Sequence, residues 1–65
     1  MKSRYDAKTD ALYVRFADAP VVESEEVHPG LVLDFDAAGR IVAVEILDAS
    51  EHLSTGADLR HLTAA

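Results

Sequence analysis

The chain has 65 residues, no cysteine, and a formal net charge of −6 from 6 Lys+Arg against 12 Asp+Glu. That length predicts one domain. The missing thiols exclude disulfides and thiolate metal sites, and the acidic balance argues against nucleic acid or an anionic membrane as partner.

Leu, Ile, Val and Phe supply 18 of the residues, enough to drive folding. They make a thin core, because ordering costs about 1.5 kcal/mol per residue. Association with a second subunit is the expected supplement. No apolar run reaches the roughly 18 residues of a membrane span. The opening MKSRYDAKTD lacks the apolar segment of a secretory signal, so the expected location is the cytoplasm.

Taken in chain order, residues 2–5 read as a short strand and Asp6 to Asp10 as a polar turn, with Asp6 and Asp10 as turn or cap residues. Leu12, Val14 and Phe16 alternate with Tyr13 and Arg15, which predicts a half-buried strand over 11–16. Asp18-Ala19-Pro20 ends it. Residues 21–27 form a weaker strand whose Glu23, Ser24, Glu25 and Glu26 suit an edge. His28-Pro29-Gly30 then turns the chain.

Strands over 31–36 and 40–47 flank Asp36-Ala37-Ala38-Gly39, where Asp opening the turn and Gly closing it fit a type I hairpin connection. A short helix follows over 49–54, with Asp48 or Ser50 as its cap and Gly56 as its stop. A second helical turn is predicted over 58–62, docked by Leu59 and Leu62. The predicted fold class is α+β, β-dominated: a small antiparallel β-meander of four to five strands followed by a short C-terminal helix.

The strand over 40–47 makes the strongest structural demand. Ile41, Ala43, Glu45 and Leu47 share one face, and Val42, Val44 and Ile46 the other. A strand wetted on one side alternates apolar with polar, whereas this one is apolar on both sides except at Glu45. It belongs in the centre of a sheet with both faces covered. A short helix covers one face, and a second copy about a two-fold axis is the simplest cover for the other. The size of the core and the pattern of this strand thus both predict a homodimer.

The chemistry is sparse. Asp34, Asp36, Gly39 and Glu45 follow part of the spacing of a calcium-binding loop, but Ala38 leaves a ligand position empty and the flanks favour strands over helices. Asp34 and Asp36 are better read as solvating an exposed face and organising the turn. His28, His52 and His61 lack the spacing that sets two rings on one helical face.

Glu45, a carboxylate in an apolar strand, needs a partner or a shifted pKa, and pairing with Arg15 or Arg4 on a neighbouring strand is expected. No nucleophile, glycine-rich phosphate loop or cofactor motif accompanies it. No catalytic, cofactor-binding or metal-binding residue is therefore predicted. Glu45, Tyr13, Arg15 and His28 stand as candidate functional residues.

Tyr5-Asp6, Asp10-Ala11-Leu12-Tyr13-Val14, an acidic middle segment, Gly30-Leu31-Val32-Leu33-Asp34 and Gly39-Arg40-Ile41-Val42-Ala43-Val44-Glu45-Ile46-Leu47-Asp48-Ala49-Ser50 together resemble a small prokaryotic family, domain-of-unknown-function family 2283. The resemblance runs to about Leu53. Members often carry Gly where this chain has Ala43. The resemblance implies a β-rich domain with a C-terminal helix and implies no activity; it also points toward toxin–antitoxin-like loci.

The functional expectation is a non-enzymatic homodimeric interaction module, acidic enough to partner a basic protein. The alternative is a small ligand-binding or enzymatic dimer with its site at the subunit junction, built from Glu45, Tyr13, Arg15 or His28.

Overall fold

The computed structural model describes residues 1–57. The second helical turn expected over 58–62 lies outside the described residues. Five strands form one antiparallel sheet: β1 (Lys2–Asp6), β2 (Ala11–Arg15), β3 (Glu23–His28), β4 (Leu31–Phe35) and β5 (Ile41–Ile46). One short helix, α1 (Ala49–His52), follows. This is the β-dominated sheet with a C-terminal helix read from the sequence.

The spatial order is β1-β2-β5-β4-β3, so the strands depart from a sequential meander at one connection. β2 pairs with β5, and residues 16–22 carry the chain from β2 to the far edge. The composition of the strands explains the order. β5 is apolar on both faces and takes the centre. β3, rich in glutamate and exposed along its whole length, takes an edge, where charge opposes further pairing.

The β4–β5 turn has the geometry its residues call for. Gly39 N–H donates to the Asp36 carbonyl at 3.0 Å, and Asp36 Oδ1 accepts from the backbone of Ala38 (2.9 Å) and Arg40 (3.0 Å). Gly39 closes the turn at φ 77°, a left-handed conformation that glycine adopts without steric penalty.

Register sorts the side chains into two faces. One face carries Leu12, Val14, Leu31, Leu33, Val44 and Ile46 on the three central strands, bordered by Ser3, Tyr5 and Glu25. The other carries Tyr13, Arg15, Val32, Asp34, Ala43 and Glu45, bordered by Lys2, Arg4, Ser24 and Glu26. Among the described residues the buried apolar side chains are Leu12, Val42, Ala43 and Ala49, and Val42 is the largest that is fully enclosed. The core is one sheet thick at its middle, and most of the apolar face remains half-buried.

The helix is shorter than the 49–54 expected. Leu53 is already extended, at φ −85° and ψ 154°, three residues before Gly56, so Gly56 does not terminate it. Capping also differs from expectation. Asp48 occupies the cap position at φ 51° and makes no side-chain cap bond. The cap comes from the β1–β2 turn: the Asp10 carboxylate accepts from Ser50 N–H at 3.1 Å and from Ser50 Oγ at 2.6 Å, and the Asp10 carbonyl accepts from Ala49 N–H at 2.7 Å. Ser50 is thus the recipient of a cap rather than its source.

Candidate functional site

The polar face of the sheet holds three of the four sequence-predicted candidates. Tyr13 stands directly opposite Glu45 across the β2–β5 ladder, and Arg15 follows two positions along β2, opposite Ala43. Arg15 is tied down twice. One terminal nitrogen donates to Tyr13 Oη at 3.1 Å and the other to the Ala19 carbonyl at 2.7 Å. These two bonds fix the orientation of the guanidinium.

The fourth candidate, His28, is elsewhere. It ends β3, where its ring meets the His52 ring edge-on with centroids 6.1 Å apart, and its Nδ1 lies 3.1 Å from the Pro29 carbonyl oxygen. The cause is local: β3 shifts register between Glu26 and His28, so the end of the strand turns toward α1.

The partner of Glu45 is a correction to the sequence reading. Neither Arg15 nor Arg4 pairs with it. Its neighbour is Asp34, on the adjacent strand β4. Burial, then a hydrogen bond to the Asp34 carboxyl group, then repulsion by its charge all push the Glu45 pKa above the ordinary carboxylate value. When protonated, Glu45 donates to Asp34.

Asp34 does not solvate an exposed face. It is 4% exposed, lies between Ser24 on β3 and Ala43 on β5, and accepts from Ser24 Oγ at 2.6 Å. A buried carboxylate needs hydrogen-bond donors; Ser24 supplies one and a protonated Glu45 a second. Sequence reasoning missed this residue because it treated Asp34 as part of the turn. The register shift between Asp34 and Phe35, which the hairpin's residues do not announce, pairs Asp34 with Ala43 and so puts it on the face of Glu45.

A second polar cluster joins the residues at the two ends of the family-like pattern. Tyr5 Oη donates to Asp10 Oδ1 at 2.6 Å, and Asp10 in turn accepts from Ser50. The bonds from Ser50 and then Tyr5 hold the Asp10 carboxyl below its ordinary pKa, and the same Asp10 contact raises that of Tyr5. This cluster closes the fold and leaves no reactive group uncommitted. Among the described residues no three His, Asp or Glu side chains converge as a metal site, and no helix is long and apolar enough to cross a membrane.

The chain belongs to the family described as "Protein of unknown function (DUF2283)", whose model matches residues 2–50. That span contains all five strands and the cap on Ser50, with both polar clusters. No curated protein and no solved structure is matched.

Proposed function

We propose that this chain is a small non-enzymatic interaction module that works as a homodimer, with a second copy covering its apolar face. One observation carries the reading: Val14, Leu31, Leu33, Val44 and Ile46 form a stripe three strands wide that stays half-buried in a chain whose enclosed apolar side chains number four among the described residues. Isolated apolar side chains on a surface are ordinary, whereas a contiguous patch with a polar border resembles the core and rim of an interface. Ser3, Tyr5 and Glu25 provide that border. The stripe carries no charge of its own, so an identical stripe meets it without like-charge conflict.

The β3 edge of the sheet supports a basic protein as a further partner. Glu23, Glu25 and Glu26 lie on an edge strand and are exposed, and none is in an ion pair among the described residues.

Size-exclusion chromatography with light scattering tests the dimer. At about 100 µM, a concentration that populates micromolar complexes, the expected mass is twice the 7.0 kDa chain. Leu33→Lys and Val44→Lys should return it to one chain while the circular dichroism of the sheet is retained. Val22→Lys, at a residue 62% exposed and outside the stripe, should leave the dimer intact. A single-chain mass for the unaltered protein refutes the reading. For the basic partner, capture from a host lysate should be lost on reversing Glu23, Glu25 and Glu26 to Lys; capture of the same proteins after reversal rejects the acidic edge as the contact.

A further inference from the structure

The geometry points to a binding site for a small oxyanion, a carboxylate or a phosphate, in the cleft between Lys2 and Arg15. Register sets Lys2 directly opposite Arg15, and Arg4 opposite Tyr13 two positions along. Like charges directly opposed in a sheet destabilise it, and none of the three cations forms an ion pair among the described residues. This occurs in a chain of net charge −6, in which carboxylates outnumber cations two to one. Half of the six Lys and Arg residues are thus gathered on the β1–β2 side of the polar face, while Asp34, Glu45 and Glu26 occupy the other side.

A cleft of about 140 Å³ opens at this end of the sheet, lined by Met1, Lys2, Arg15, Phe16, Ala17 and Asp18. Its size suits one small anion and little more. Arg15 is pre-oriented by its bonds to Tyr13 and Ala19, which use two of the guanidinium's five N–H donors and leave three. A planar guanidinium beside a flexible ammonium matches the geometry of an oxyanion, and an anion between them turns a cross-strand repulsion into two attractions. Phe16, 50% exposed at the rim, offers an apolar surface to any hydrocarbon attached to that anion. Asp18 lines the same cleft and weakens the field, so binding is expected to be modest, with Kd of about 1 mM.

The test is an amide NMR titration of the whole chain with sodium phosphate in one arm and sodium acetate in the other. Each is run against sodium chloride at matched ionic strength of about 0.15 M, where exposed charges more than about 8 Å apart are largely screened. Saturable shifts at Lys2, Phe16 and Ala17 in either arm support the site, and the arm that saturates at the lower concentration names the preferred oxyanion. Lys2→Gln and Arg15→Gln should each weaken binding about tenfold, as expected for a lost charge-assisted bond, whereas Asp18→Asn should tighten it. Lys8→Gln, on the β1–β2 turn, should change nothing. Lys2 is exposed, so its variant is decisive even where the loss of Arg15 disturbs the fold. Shifts no larger than those from chloride, or binding that survives Lys2→Gln unchanged, overturn the proposal.

Discussion

Asp10 caps a helix through Ser50, 40 positions later in the chain: its carboxylate receives both the backbone N–H and the hydroxyl of Ser50. A four-residue helix is far below the length at which helices persist alone, so its existence depends on this remote acceptor. Asp10→Ala should lower the denaturant midpoint more than Asp6→Ala, whose carboxylate serves the local turn through Lys8 N–H. The Asp10 pKa is depressed in the folded state. Its contribution is therefore complete above the unfolded value of about 3.9 and is lost as pH falls through the folded value. Chemical denaturation from pH 6 down to about pH 3 should show the acid-side loss of stability in the parent chain and a smaller loss in Asp10→Ala.

Glu45 has the opposite linkage. Its folded pKa is raised, so protonation favours the folded state. The gain is complete below the unfolded value of about 4.3 and disappears as pH rises through the folded value. Glu45→Gln removes the repulsion from Asp34 and offers Asp34 a permanent donor. At pH 7 it should stabilise the chain by a few tenths of a kcal/mol, and by no more than about 1, since solvent screens a half-buried group. The advantage over the parent should vanish near pH 4, and thermal melts at both pH values measure it.

Val42 is 0% exposed, whereas Val22 is 62% exposed. Truncating Val42 to Ala removes two buried methyl groups and leaves a void, at a cost of about 2 kcal/mol. Val22→Ala should stay within about 0.5 kcal/mol. Urea titration of the two variants checks the difference, and equal midpoints would place the core elsewhere.

Gly30 sits at φ +84°, and a Cβ there meets His52 Nε2 at 2.5 Å and the Leu47 carbonyl oxygen at 3.0 Å. Gly30→Ala should destabilise by more than about 1 kcal/mol, from backbone strain plus the collision. Gly39→Ala, which meets nothing within 4 Å, should show the strain alone. Adding His52→Ala to Gly30→Ala should recover part of the loss and not all of it, because the Leu47 carbonyl belongs to the backbone.

Local features of this chain were legible in its sequence. Asp36 and Gly39 specified their turn, and the two apolar faces of Ile41–Ile46 put that strand at the centre. The alternation of Tyr13 and Arg15 set them on one face. What could not be read depends on contacts between distant segments. Nothing in residues 11–15 announces that they pair with 43–46, and without that pairing Tyr13 has no connection to Glu45. Asp34 looked like a turn residue because its burial comes from Ser24 and Ala43 on two different strands. Asp48 and Ser50 looked like caps because local composition favours them there, while the actual acceptor lies in another turn. His28 left the site because a register shift in β3 redirected it.

The strand order also has a kinetic consequence. The β1–β2 hairpin is made before the other strands, yet among the described residues its only bridge to the rest of the sheet is β5, the last of the five strands in chain order. A lone two-stranded hairpin is at best marginally stable in water, so the N-terminal hairpin must wait through the synthesis of β3 and β4. The sheet closes only when residues 41–46 slot between the two halves. A chain cut after Phe35 would therefore be two unconnected hairpins rather than a damaged sheet, and folding should be close to all-or-none in chain length.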